Sequence, residues 1–149
     1  MKDISNIWKD RYLNLAKEIS TWSKDPSTQV GAVAIGNKGQ VLSQGYNGFP
    51  RQFPDKPSLY EDREQKYKYT IHAEMNCIYH ATLNGVSLEG ATMFIYGLHA
   101  CHECAKGMCQ VGIKAVIAKI ADDSNPRWQD SCNLADQIFS QQGVYYEKI

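Results

Sequence analysis

Apolar residues recur along the first part of the chain with a helical period. Ile4, Trp8, Tyr12, Leu15, Ile19 and Trp22 are spaced by threes and fours, which predicts an amphipathic helix over residues 5–22. Ser5 or Asp3 is placed to cap its start. Asp25-Pro26 ends it, because proline disfavours the helical conformation in the residue before it. The period then changes. Residues 29–35 and 40–46 read as strands, and Asn37-Lys38-Gly39 between them is a hairpin turn. From Asn47-Gly48-Phe49-Pro50 the chain turns polar, with Pro54 and Pro57 ahead and consecutive charges from Glu61 to Glu64. A loop this long is usually functional or holds a short helix, which residues 60–68 predict.

The second half alternates. Ala73 to Leu83 reads as a helix with Met75, Ile78, Tyr79 and Leu83 apolar, closed by Asn84-Gly85. Residues 91–96 form a strand with almost no polar alternation, as burial on both faces requires. A helix over 101–111 ends at Gly112, and 114–120 is a second nearly unbroken apolar strand. A loop over 122–128, a helix over 129–141 and a short strand over 143–148 complete the chain. Helix and strand in turn after a hairpin predict an α/β fold, a mixed sheet with helices on both faces.

Composition narrows the function classes. A chain of 149 residues is expected to form a single domain, 1–149. Formal net charge is zero. Binders of nucleic acid usually carry a basic stripe, so a small molecule is the expected partner and nucleic acid is not. Apolar runs such as Ala115 to Ala118 fall far short of a membrane span. Met1-Lys2-Asp3 opens no apolar signal core. The expectation is a cytoplasmic protein with no membrane partner. The five cysteines, an odd number, argue against a disulfide framework and for metal or redox chemistry at a C-x-x-C pair.

That pair is Cys101-His102-Glu103-Cys104, and His72-Ala73-Glu74 opens the preceding predicted helix. His72, Cys101 and Cys104 make three ligands, which suits a catalytic zinc that keeps one position open for water. Both halves start helices, and helix N-termini in an α/β sheet lie beyond the carboxyl ends of the strands, where ligands bind. Glu74 is two residues past a ligand and can take a proton from bound water without joining the metal. His99, His102 and Cys109 also lie close to the C-x-x-C pair, so a closed local site is the alternative. His102 is expected to point away, His99 to line a pocket or support a ligand, and His80 to be an ordinary helix histidine. Cys77, Cys109 and Cys132 are expected to be small buried apolar residues.

With these residues in place the chain resembles the zinc-dependent cytidine/deoxycytidylate deaminases, whose signature pairs H-x-E with P-C-x-x-C. The likeness extends to Trp22-Ser23-Lys24-Asp25-Pro26-Ser27-Thr28-Gln29-Val30-Gly31-Ala32, Gly45-Tyr46-Asn47-Gly48-Phe49-Pro50-Arg51 and Ile71-His72-Ala73-Glu74-Met75-Asn76. Glu89-Gly90-Ala91-Thr92-Met93 and Asn125-Pro126-Arg127-Trp128 also look like the deoxycytidylate (dCMP) branch, and the similarity runs from about Trp8 to Tyr145.

The resemblance implies a three-layer α/β/α fold with a five-stranded mixed sheet. It implies hydrolytic deamination of dCMP to dUMP and ammonia, which supplies dUMP for dTMP synthesis. One Zn2+ per chain would be held by His72, Cys101 and Cys104, with Glu74 moving the water proton to ring N3 and then to the leaving amine. The Ala73 N–H and Asn47 would hold the nucleotide, and Lys24, Ser27 and Thr28 would border its sugar and phosphate. Members of this branch are commonly hexamers activated by dCTP and inhibited by dTTP. The resemblance therefore implies an effector site at Gly45, Tyr46, Asn47, Gly48, Phe49 and Arg51, with Mg2+ on the triphosphate.

The chain departs from the pattern at Ala100, where the family has proline, and loss of that fixed φ is expected to loosen the approach to the helix. Two other readings stay open: a deaminase of dCTP, a nucleoside or a tRNA base, and a zinc-stabilised nucleotide-binding module without turnover.

Overall fold

The computed structural model describes residues 4–121 and 129–149. The elements are α1 (Asn6–Ser20), β1 (Gly31–Ile35), β2 (Val41–Tyr46), α2 (Pro57–Glu61), α3 (Arg63–Tyr69), α4 (Ala73–Leu83), β3 (Thr92–Gly97), α5 (His102–Gln110), β4 (Ala115–Ile120), α6 (Gln129–Gln141) and β5 (Tyr145–Lys148). The strands form one mixed sheet in the order β2-β1-β3-β4-β5. β1 is antiparallel to both β2 and β3, whereas β3, β4 and β5 are parallel. Because β2 and β3 both oppose β1, they run the same way and end at the same rim.

Alternation along the buried strands builds the three layers. Ala32, Ala34, Met93, Ile95, Val116 and Ala118 pack with α4, α5 and α6. Val33, Ile35, Phe94 and Ile117 point the other way, against Tyr12, Leu13, Ala16 and Ile19 of α1. This is the expected α/β/α sandwich. No helix among the described residues is long and apolar enough to cross a membrane.

The structure corrects several local expectations. The core stripe of α1 is Tyr12, Leu13, Ala16, Ile19 and Ser20, while Trp8 and Trp22 are about half exposed. The cause is a close approach. A Cβ on Gly31 would lie 2.0 Å from the Ala16 carbonyl oxygen, so α1 seats on β1 through its small face and turns its tryptophans outward. Ser5 is the N-cap, but its side chain makes no capping bond, and Asp3 lies outside the described residues. The helix expected over 60–68 is two short helices. They break at Asp62, whose backbone is extended and whose carboxylate accepts from the N–H groups of Glu64 and Gln65 to cap α3. The last strand starts later than expected, because Gly143 takes a positive φ of 69° and Val144 N–H still bonds to the Phe139 carbonyl behind α6. The loop over 122–128, with Asn125-Pro126-Arg127-Trp128, lies outside the described residues.

Helix α4 sits tightly on β2. Ser43 Oγ donates to the Cys77 carbonyl at 2.7 Å, Asn76 Nδ2 to the Tyr46 carbonyl at 2.8 Å, and His80 Nδ1–H to the Gln44 carbonyl at 2.5 Å. A Cβ on Gly45 would lie 2.3 Å from Cys77 N and 2.5 Å from the Ala73 carbonyl oxygen. Gly45 therefore has a packing reason to be glycine. Gly45→Ala should destabilise the fold by about 1–3 kcal/mol, the range for overpacking a tight contact, read as a lower denaturant midpoint. An unchanged midpoint would mean that α4 does not seat on β2 as described.

Candidate active site

The two motifs meet at the rim where β2 and β3 end. His72 is the N-cap of α4 and Cys101 the N-cap of α5, both with extended backbone. His72 Nδ1 lies 3.3 Å from Cys101 Sγ and 3.4 Å from Cys104 Sγ. The three donor atoms lie within 4.8 Å of one another. The first turn of α5 preshapes the pair, since Cys101 Sγ accepts from Cys104 N–H at 3.4 Å.

The protonation of this trio tests whether a cation fits. Hydrogen bonding from Cys104 and from His72 pulls the Cys101 thiol down to about 4, against the effect of burial. The hydrogen bond to Cys101 pushes His72 up to about 9, although burial opposes it. Cys104 moves upward, because it donates to Cys101 and is buried. Two sulfurs and an imidazole thus crowd around one point and share protons that a divalent ion would displace. The donor set, soft sulfur with imidazole at the start of two helices, fits Zn2+.

Glu74 is the acid/base candidate. It stands in the first turn of α4 and is 4% exposed. Burial raises its pKa above the ordinary carboxylate value, and the nearby His72 only partly offsets this. A carboxyl so placed beside Cys104 and His72 can both accept and return a proton. Ala73, fully buried, is the first residue of α4, so its N–H has no acceptor within the helix.

The loop beside this floor is organised by Asp25, expected only to end a helix, and by Lys66, which the sequence did not single out. Asp25 is buried and accepts from Ser27 N–H, Ser27 Oγ and Thr28 N–H. Lys66 of α3 pairs with it at 2.9 Å and also donates to Ser27 Oγ at 2.7 Å. Burial alone would raise the Asp25 pKa, but the bonds from Lys66, Ser27 and Thr28 bring it below the ordinary carboxylate value. The Asp-Pro-Ser-Thr order was a readable sign of this turn; nothing in the sequence marked Lys66 as its partner.

Asn47 is buried and spans the same loop. Its Oδ1 accepts from Val30 N–H at 2.8 Å and its Nδ2 donates to the Thr28 carbonyl at 2.9 Å. Ser27 and Thr28 are thereby fixed at the loop, while Lys24 lies in solvent and pairs with Asp55.

The residues expected to bind an effector make contacts of several different kinds. Gly45 packs under α4, and Tyr46 sets its ring edge-on to Trp22. Gly48 bridges to Ile71, and Phe49 stacks on Tyr60 at 4.4 Å. Arg51 lines a groove of about 410 Å³ with Gln44, His80 and Asn84, at the far end of α4 from His72. His102 turns from the trio to Ser131, as expected. His99 is half-buried and its Nε2 has no partner among the described residues. Cys77 is fully buried, with its thiol pushed up to about 12 by burial, but Cys109 and Cys132 are only half-buried because α5 and α6 turn them toward the surface.

Residues 6–120 match the family model described as the cytidine and deoxycytidylate deaminase zinc-binding region, a span that includes His72, Cys101 and Cys104. The chain belongs to this deaminase family. An uncharacterized deaminase of the luxG 3' region of Aliivibrio fischeri is 37% identical over 138 residues, covering 92% of this chain and 90% of that protein. The human deoxycytidylate deaminase is 32% identical over 146 residues, covering 95% and 79%. The dCMP deaminase of cyanophage S-TIM5, solved in complex with dCMP and dUMP, superposes with a TM-score of 0.77 at 24% identity over 99% of this chain and 100% of that one, which shows a shared fold.

Membership of the deaminase family and the clustered donor atoms lead to a direct check. Metal analysis of the purified chain should return about one zinc per chain, and Cys104→Ser should lower that content strongly, since a ligand's loss leaves two donors. Full zinc retention in Cys104→Ser would mean that the ion sits elsewhere.

Proposed function

We propose that this deaminase hydrolyses dCMP to dUMP and ammonia, with the chain 1–149 working as one domain. The observation that carries the reading is the buried Glu74 carboxyl beside three converging ligand atoms. A site that bound zinc for structure alone would have no use for it. The names of the relatives support the choice of dCMP.

A zinc ion held by His72, Cys101 and Cys104 would supply Lewis acidity that lowers the pKa of a water molecule. Glu74 accepts a proton as the water oxygen bonds to C4 and hands it to N3 of the cytosine ring; it then takes the second proton from the new C4 hydroxyl and gives it to the amine, which leaves as ammonia when the C4–N bond breaks. Burial raises the Glu74 pKa, which makes the carboxyl a stronger proton acceptor than an exposed glutamate. The Ala73 N–H orients the base from the start of α4. Asn47 holds the 28–30 backbone against the nucleotide, and Ser27 and Thr28, with Lys24 at the rim, face its sugar and phosphate. Asp25 and Lys66 keep this loop in place.

In the cell the product dUMP would feed dTMP synthesis in the cytoplasm. The Gly45–Arg51 stretch would take dCTP as activator and dTTP as inhibitor, with Mg2+ on the triphosphate, in a homo-hexamer.

One set of assays tests the reading. Ammonia release should be fastest with dCMP among cytidine, deoxycytidine, dCMP, dCTP and an adenosine-containing RNA hairpin, and dCTP and dTTP should shift the dCMP velocity curve in opposite directions. Glu74→Gln should keep its zinc and lose roughly 100- to 10,000-fold in rate, the usual contribution of a positioned acid/base. A preference for dCTP would replace the substrate, a hyperbolic curve deaf to both triphosphates would remove the regulation, and undiminished turnover in Glu74→Gln would remove the mechanism.

A further inference from the structure

The ligand loop is held from behind by the last two elements of the chain. Ala100 is fully buried and donates its N–H to Tyr146 Oη of β5 at 3.1 Å. His102 donates its N–H to Ser131 Oγ of α6 at 3.1 Å, and the same hydroxyl lies 2.8 Å from His102 Nδ1. The two peptide N–H groups that flank Cys101 therefore both end on side-chain hydroxyls from the C-terminal α6–β5 unit. At the start of α5 these N–H groups have no acceptor within the helix. Their hydroxyl partners fix the backbone on either side of the sulfur.

The tyrosine is itself well fixed. Its ring meets buried Phe139 edge-on at 4.8 Å, and Lys148 Nζ lies 5.3 Å from the ring centroid. β5 adds in parallel to β4, which places Tyr146 opposite Val116 of the buried sheet. The phenol belongs to a strand of the sheet. Proline at position 100 would have no N–H to give. Alanine supplies one, and the chain uses it; the approach to α5 is not loose, as the sequence suggested, but tied to a different support.

We propose that Tyr146 and Ser131 are positioning residues that hold Cys101 in its ligating place, so that the α6–β5 unit controls how firmly the metal is kept. This rests on His72, Cys101 and Cys104 being the metal ligands. Metal loss from such a site begins with one ligand swinging away. Holding the peptide on both sides of Cys101 opposes that first step without touching the metal.

The test is the rate at which zinc-loaded protein yields its metal to excess chelator, followed with a chromogenic zinc dye. Tyr146→Phe should speed zinc loss roughly fivefold, the worth of one hydrogen bond, and Ser131→Ala should do about the same. In an Ala100→Pro background Tyr146→Phe should add nothing, because the N–H it served is gone. An equal effect of Tyr146→Phe with and without that N–H would overturn the proposal, since it would reflect ring packing alone. So would lowered melting temperatures with unchanged loss rates in both Tyr146→Phe and Ser131→Ala. A chain that takes up no zinc would overturn both this inference and the metal assignment beneath it; a zinc-bound chain indifferent to both hydroxyls overturns the inference alone.

Discussion

The approach of His72 Nδ1 to within 3.3–3.4 Å of two sulfurs is the contact on which the rest of the molecule depends. The residues come from different helices, so the fold must bring two helix starts to one point. It does so through strand direction. β2 and β3 share β1 as an antiparallel neighbour and so finish at one rim, and α4 and α5 begin just beyond it. The hydrogen bonds from Ser43, Asn76 and His80 then fix α4 along β2, and the glycine at 45 allows the approach.

Burial does the chemical tuning. Glu74 is excluded from water among sulfur and imidazole, which raises its pKa and keeps it fit to take and return a proton. Asp25 is equally buried, yet four donated bonds hold it ionised, and it serves the loop architecture. Two buried carboxyls thus shift in opposite directions because they differ in donors. The same accounting explains why Ala100 is not a weak point: a lost ring constraint is offset by an N–H that finds Tyr146.

The layers, the sheet and the metal trio were legible because they rest on local signals. Period-two and period-3.6 patterns mark the elements, and H-x-E with C-x-x-C marks the ligands. What was not legible depends on partners far apart in the chain. The outward turn of Trp8 and Trp22 follows from Gly31 meeting Ala16, and no periodicity of α1 could announce it. Lys66 is paired with Asp25, and Tyr146 with Ala100, across 41 and 46 positions. The break at Asp62 was readable in principle, since an Asp followed by Glu and Gln can cap a helix, but the charge run around it masked the boundary.

The proposed chemistry needs an open metal site with three protein ligands. X-ray absorption at the zinc edge tests it most directly. The expected spectrum shows two sulfur neighbours at about 2.3 Å, one imidazole nitrogen and one further light atom from solvent. A third sulfur, or a second imidazole filling the last position, would make the site closed and leave no place for water.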